Sequence, residues 1–247
     1  MSAALSRAGT LYIVGTGPGD PELMTLKAAR VIGDAKVIAY FAKSGRQSHA
    51  RAIAEAHISP GTEELRLEYP FTTERDVNDE EYIVGISEFY AMCTARIAAR
   101  LDAGCDVGLL CEGDPFFYGS SQALLDRLGT AYGTVVIPGV TGMSGCWTCA
   151  GVPMAHGDDV LTVLPGTLDE ENLVEHLVAS DAVVIMKVGR NLAKIRAALL
   201  RSGRAARAVY VERGTMTGER ILPFAEFNEM TAPYFALVLV PGRQRRR

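Results

Sequence analysis

The stretch DVGLLCEGDPFFYGSS, residues 106–121, decides how the rest of the chain is read. Its apolar run, Val107, Leu109 and Leu110, has the length and continuity of a strand buried on both faces, and it stops at Glu112-Gly113-Asp114-Pro115. Gly113 lets the backbone approach a ligand or turn with positive φ, while Pro115 removes one amide donor and keeps Asp114 extended. Asp114 and Pro115 fit two descriptions at this point: a bend over a ligand, or the N-cap and first residue of the next helix.

The same punctuation occurs nearer the start, in LYIVGTGPGDPELMT, residues 11–25, where an apolar run again ends in glycines and Gly19-Asp20-Pro21 leads into a helical pattern. In an open parallel sheet, ligands bind outside the carboxyl ends of the strands at a switch in strand order, so two such turns predict one shared crevice. A dinucleotide fold would place G-x-G-x-x-G here and an acidic residue at the end of the second strand. The glycines instead run Gly15, Gly17, Gly19 with Pro18 between, and the second strand ends in Ala39-Tyr40-Phe41, which argues against that cofactor.

Reading onward, apolar spacing predicts a helix over 23–32 capped by Thr25, and a strand over 36–41. A glycine turn and helix over 44–56, a weakly alternating edge strand over 63–69, a polar loop over 70–79 and a long helix over 79–103 follow. A fifth strand falls at 134–138, and PGVTG (138–142) reads as a junction. This strand-then-helix order implies a parallel sheet with helices on both faces. Beyond the junction, 141–151 reads as helix or loop. Strands are predicted at 159–164, 182–187, 206–212, 220–223 and 234–240, and helices at 169–178 and 191–200, giving a second, smaller α/β domain. The expected division is residues 1–139 and 140–247.

Composition sets the outer limits. The 247 residues are 48% hydrophobic and 22% charged, enough to build a core. The net charge is −4 although Arg243, Arg245, Arg246 and Arg247 crowd the last five positions, so the body without those four positive charges stands at −8. Such a body does not suit nucleic acid, and the arginine tail reads as a solvated end. No signal peptide and no membrane span is expected, so the reading is a cytoplasmic protein. Five cysteines, Cys93, Cys105, Cys111, Cys146 and Cys149, read as free thiols. Cys146-Trp147-Thr148-Cys149 has no second pair to make a zinc site, and no metal is expected.

Five segments in order carry a resemblance: VGTGPGDPELMTLKA (14–28), CEGDPFFYGS (111–120), PGVTGMSG (138–145), VIMKVGRN (184–191) and VERGT (211–215). Together they resemble the tetrapyrrole methyltransferases of corrin and siroheme synthesis, over nearly the whole chain. The pairing of EGDPFFYGS with IMKVGRN is most similar to the members that methylate precorrin-2 at carbon 20, with those acting on cobalt-precorrin-2 the near neighbours. The resemblance implies two α/β domains with a cofactor trough between them, a homodimer, and S-adenosylmethionine as cofactor. It places cofactor contacts at Pro18, Glu112, Gly113, Asp114, Phe117, Thr141, Gly142, Met186 and Gly214. Gly142 stands where the family commonly has serine, so only a backbone contact is expected there.

A sulfonium cofactor needs no phosphate cradle, and no G-x-x-x-x-G-K-[ST] is present. The expected chemistry is in-line attack of an electron-rich ring carbon on the cofactor's methyl group. Glu112, Tyr118 or water is the candidate acceptor of the proton that the methylated carbon then loses. The substrate's carboxylates require a local basic cluster in an acidic protein, and Lys43, Arg46, Arg51, Lys187, Arg190 and Arg213 each fall near a predicted strand end. A non-catalytic nucleotide- or tetrapyrrole-binding protein would leave Phe117-Tyr118, Met186 and the Glu-Arg-Gly-Thr segment unexplained.

Overall fold

The computed structural model describes residues 8–70 and 80–242. The arginine tail and nearly all of the polar loop expected over 70–79 lie outside the described residues. The chain forms two compact units, Met1–Thr141 and Gly142–Arg247.

In the first unit the elements are β1 (Leu11–Gly15), α1 (Leu26–Asp34), β2 (Val37–Lys43), α2 (His49–Ala54), β3 (Glu63–Tyr69), α3 (Glu80–Asp102), β4 (Val107–Cys111), α4 (Gln122–Leu128) and β5 (Thr134–Ile137). The strands make one sheet in the order β3-β2-β4-β1-β5, and every pairing is parallel. All five residues of β4 are buried, as a central strand covered on both faces requires. Leu11, Ile13, Val107 and Leu109 face Phe89, Cys93, Ile97 and Leu101 of α3 and Leu124 and Leu128 of α4. Val14, Ile38, Tyr40 and Leu110 face Ala28 and Ile32 of α1 and Ala50, Ile53 and Ala54 of α2.

Two helix starts show how proline turns displace a helical pattern. The Thr25 hydroxyl accepts from the Ala28 N–H at 3.1 Å and caps α1 as expected, but the helix opens at Leu26, after 23. Residues Pro21–Leu23 instead form a short 3-10 turn held by Asp20, and Met24 is extended behind it. Neither Asp114 nor Pro115 caps α4, which opens only at Gln122. The intervening residues are spent on turns, Phe117 N–H to Asp114 O at 3.1 Å and Gln122 N–H to Gly119 O at 3.3 Å.

The edge strand β3 carries alternating charge that arginines from both helical layers satisfy. Arg100 of α3 pairs with Glu63 at 2.6 Å, and Arg51 of α2 makes a fork to Glu64, with both contacts at 3.1 Å. The Arg51 hydrogen bond is the main cause holding the Glu64 carboxyl below the ordinary glutamate range. A depressed carboxyl stabilises the fold while it is ionised and stops doing so as pH falls through its folded value. Glu64→Gln is therefore expected to be less stable than wild type at neutral pH by about 0.5–1 kcal/mol, with the difference shrinking as pH falls below the ordinary glutamate range. Thermal melts of the two proteins at pH 7 and pH 3.5 check this, and an equal difference at both would contradict it.

In the second unit the elements are α5 (Gly142–Cys149), β6 (Leu161–Pro165), α6 (Glu170–Ala179), β7 (Ala182–Met186), α7 (Leu192–Arg201), β8 (Val209–Glu212), β9 (Arg220–Pro223) and β10 (Ala236–Val240). The sheet order is β6-β7-β10-β8-β9. Only β6 and β7 pair in parallel; β10 lies antiparallel between β7 and β8, and β9 closes antiparallel on β8. Leu173 and Leu177 of α6 and Leu192, Ile195 and Leu199 of α7 bury Val183, Ile185, Tyr210 and Val238. Cys146 of α5 packs with Val184, Val211, Leu237 and Leu239 on the other face.

Candidate functional site

The order of the first sheet creates a switch point at its carboxyl edge. β1 and β4 are neighbours, with Gly15 registered against Cys111. The chain leaves β1 for α1 on one face and leaves β4 for α4 on the other, which opens a crevice between their carboxyl ends. The two glycine turns meet there. Gly113 N–H donates to Gly17 O at 2.8 Å and Gly17 N–H to Gly113 O at 3.4 Å, while Thr16 gives both its N–H and its hydroxyl to Cys111 O at 2.8 and 3.0 Å.

Both Gly-Asp-Pro bends use one local device. Proline has no N–H, so the aspartate carboxylate reaches past it to the next amide: Asp20 Oδ1 accepts from Glu22 N–H and Asp114 Oδ1 from Phe116 N–H, each at 2.9 Å. Asp114 Oδ2 also accepts from Gly139 N–H at 3.1 Å, tying the loop after β4 to the loop after β5. Three backbones touch at this knot. A β-carbon at Gly15 would lie 2.6 Å from Gly113 O and 2.7 Å from Gly139 N, and one at Gly139 would overlap Gly113 O. No side chain larger than hydrogen fits at either position.

Around the knot, Pro18 and Phe117 are half-buried, Glu112 and Tyr118 are exposed, and Gly113 is buried. The Phe117 and Tyr118 rings meet edge to face at 5.0 Å. Beneath Glu112, burial pushes the Cys111 thiol up to about 12, which removes it as a nucleophile. Thr141 ends the first unit, and Gly142 opens α5 with no atom within 4 Å of where a β-carbon would sit.

In the second unit the carboxyl ends of β6, β7 and β8 share one edge. The Met186 carbonyl accepts from Gly166 N–H at 2.7 Å, and the Lys187 carbonyl accepts from the Asn191 side-chain amide at 2.9 Å. Arg190 follows on an exposed turn, and Arg213 N–H donates to Phe235 O at 2.8 Å. Met186, Lys187, Arg190, Arg213 and Gly214 thus gather at this edge. Gly214 is there because α5 leaves no room: a β-carbon would lie 2.6 Å from the Cys146 sulfur and 3.0 Å from its Cα. Burial pushes the Cys146 thiol up to about 12 and that of Cys149 to about 11, so the C-x-x-C pair acts as packing for the Glu-Arg-Gly-Thr segment.

Among the described residues, the non-glycine positions with left-handed backbone are Tyr118 (φ 56°), Lys187 (φ 54°), Arg213 (φ 49°) and Thr215 (φ 67°). All four stand in the loops that leave β4, β7 and β8. Such backbone costs on the order of 1 kcal/mol or more per residue and collects where function holds it.

The basic residues expected to hold substrate divide. Lys43 ends β2, and Arg46 is exposed three residues on, both at the carboxyl edge of the first sheet. Arg51 is not brought there. Its partner Glu64 is registered against Ile38, five residues before Lys43, or about 16 Å back along the strand. Glu64 and Glu55 already occupy its guanidinium. Sequence reasoning missed Thr16, Arg66 and Glu68. The last two sit on one face of β3, and nothing in their spacing shows that they reach the 43–46 turn.

The turns themselves set the polarity of the switch point. Residues 15–25 and 111–121 contain Asp20, Glu22, Glu112 and Asp114 and no lysine or arginine, a lining that repels phosphate and suits a cofactor bearing positive charge. Fold and lining together define a class: a two-unit α/β protein that offers a phosphate-free cofactor a backbone cradle at a strand switch. Residues 10–227 match the family model described as Tetrapyrrole (Corrin/Porphyrin) Methylases, and the chain belongs to that family.

Among its relatives, a protein of Sinorhizobium named precorrin-2 C(20)-methyltransferase is 54% identical, over 95% of this chain and 96% of that one. Cobalt-precorrin-2 C(20)-methyltransferase of Salmonella typhimurium is 30% identical over 94% and 96%. A solved uroporphyrin-III C-methyltransferase of Thermus thermophilus, complexed with S-adenyl homocysteine, superposes with a TM-score of 0.66 at 26% identity, covering 94% of this chain and 92% of its own.

Proposed function

We propose that this enzyme transfers a methyl group from S-adenosylmethionine to carbon 20 of precorrin-2, giving precorrin-3A in cobalamin biosynthesis. The observation that carries this reading is the 54% identity, end to end, with the Sinorhizobium precorrin-2 enzyme, against 30% for the cobalt-precorrin-2 enzyme. The bound cofactor would supply a methyl group on a sulfonium that is already a good leaving group. The protein is then left with orientation as its main task. Effective molarities for oriented partners correspond to ~7–11 kcal/mol, against ~3–5 kcal/mol for one general acid or base.

In this reading the acidic, lysine-free turns around Pro18 and around Glu112, Gly113, Asp114 and Phe117 hold the cofactor in the first unit. Thr141, Gly142, Met186 and Gly214 supply its remaining contacts, mostly through backbone. Glu112 and Tyr118, both exposed at the end of β4, are the candidates to accept the proton released from the methylated carbon. Lys43, Arg46, Lys187, Arg190 and Arg213 would meet the substrate's carboxylates in this reading, and the ion pairs of Arg51 with Glu55 and Glu64 argue for leaving it out of that set. The same reading has the enzyme acting as a homodimer in the cytoplasm, without nucleic acid or membrane as partner.

Incubation with enzymatically made precorrin-2 and S-adenosylmethionine carrying a ¹³C methyl tests the proposal. One labelled methyl at carbon 20, gained faster without cobalt in the ring than with it, is the expected result. Label at another ring position, or transfer only to the cobalt form, would overturn it.

A further inference from the structure

The turn that carries Lys43 and Arg46 is held from the neighbouring strand. Arg66 of β3 is registered against Tyr40 of β2, yet its side chain runs up to the carboxyl edge. There Nη2 donates to Lys43 O at 2.9 Å and to Arg46 O at 2.7 Å. Lys43 O also accepts from Arg46 N–H at 3.1 Å, which closes the turn. Arg66 Nε donates to Glu68 Oε2 at 3.2 Å. The Glu68 carboxyl is held below the usual range, with the nearby Ser44 side chain the largest cause and Arg66 the next. From behind, Arg96 of α3 donates to Arg66 O at 2.7 Å. The first and last carbonyls of the 43–46 turn are therefore tied to β3, while the Arg46 side chain stays exposed.

We propose that Arg66 and Glu68 form a clasp that presents Lys43 and Arg46 to the substrate's carboxylates without touching the substrate themselves. Arg66 is a positioning residue: its planar guanidinium serves two carbonyls from Nη2 and the Glu68 carboxylate from Nε at once, a spread of donors over two nitrogens that the single nitrogen of a lysine ammonium cannot reproduce. The proposal rests on the reading of the 43–46 turn as a substrate contact.

Kinetics of the full-length enzyme with precorrin-2 test it. Arg66→Met is expected to raise KM for the tetrapyrrole about tenfold while kcat and the affinity for S-adenosylhomocysteine stay at wild-type values, the pattern of lost uniform binding. Arg66→Lys is expected to recover only part of that loss. In a Lys43→Met/Arg46→Ala background the effect of Arg66→Met should shrink below about twofold, because the groups it positions are gone.

Wild-type KM in Arg66→Met, or a full tenfold effect in that background, would overturn the clasp. If Lys43→Met/Arg46→Ala alone leaves KM unchanged, the turn is not a substrate contact and the clasp falls with it. No turnover by wild type would instead reject the substrate assignment. Should Arg66→Met fail to fold, Glu68→Gln, which leaves the Arg66 bonds to both carbonyls, is expected to raise KM by a smaller factor, and an unchanged KM there would count against the clasp.

Discussion

Gly139→Ala is expected to lower the stability of the first unit by about 3 kcal/mol and to abolish measurable cofactor binding. The added methyl would overlap the Gly113 carbonyl oxygen and lie 3.1 Å from both the Gly113 and the Gly15 carbonyl carbons. Those atoms are backbone at the ends of β4 and β1, held by the hydrogen bonds between Gly17 and Gly113, so no flexible side chain can give way. Relief requires the loop after β5 to lift off, which breaks the bond from Gly139 N–H to Asp114 and opens the crevice. Gly142→Ala, three residues on, is the matched control. Its methyl meets nothing within 4 Å, and at the start of α5 alanine should leave stability unchanged or raise it by up to about 1 kcal/mol. Thermal melts and calorimetric titration with S-adenosylhomocysteine read both outcomes. For a loss of that size the midpoint should fall by on the order of 10 °C. A Gly139→Ala protein that melts with wild type and binds as tightly would show that the three strand ends do not form a rigid cradle.

What could be read from the sequence was local. The buried run of β4, the Thr25 cap, the bounds of β3 and of β9, and the two Gly-Asp-Pro bends depend on a few consecutive residues, and their chemistry is visible in a line of text. The α4 start was not legible, because an aspartate before proline serves as well for a turn onto the next amide as for a helix cap, and only the loop after β5 settles which. Sequence proximity to Lys43 points Arg51 to the strand edge. The helix after a parallel strand runs back along it, however, so each helical residue moves about 1.5 Å away from that edge. Lys43 and Arg46, within three residues of the strand end, escape this. The mixed second sheet, with β10 between β7 and β8, depends on pairings some 25 to 55 residues apart along the chain. The contacts of Gly15, Gly113 and Gly139, and the reach of Arg66 to the 43–46 turn, are equally long-range and leave no periodic trace. Carbon 20 as the methylated position comes from similarity to relatives, since the charged edges of both units would suit any carboxylated tetrapyrrole.

Asp114→Ala is expected to cost about 3 kcal/mol of stability and up to about 100-fold in cofactor affinity, more than any other side-chain truncation at the switch point. Two charge-assisted hydrogen bonds disappear, to Phe116 N–H at 2.9 Å and Gly139 N–H at 3.1 Å, each worth about 1.5–3 kcal/mol, with the lower figure fitting a half-buried carboxylate. Asp114→Asn separates two roles for the residue. Its single carbonyl oxygen can keep the bond to Phe116, but its amide nitrogen would then face the Gly139 N–H, donor against donor. If Asp114 works by clamping the loops after β4 and β5, the asparagine variant should lose stability and cofactor affinity together, each by less than the alanine variant. If the carboxylate instead contacts the cofactor directly, affinity in Asp114→Asn should fall nearly as far as in Asp114→Ala while its loss of stability stays the smaller of the two. The geometry favours the clamp, because both oxygens already accept from backbone amides. Wild-type affinity for S-adenosylhomocysteine in Asp114→Ala would remove both roles, and with them the reason for placing the cofactor at this bend.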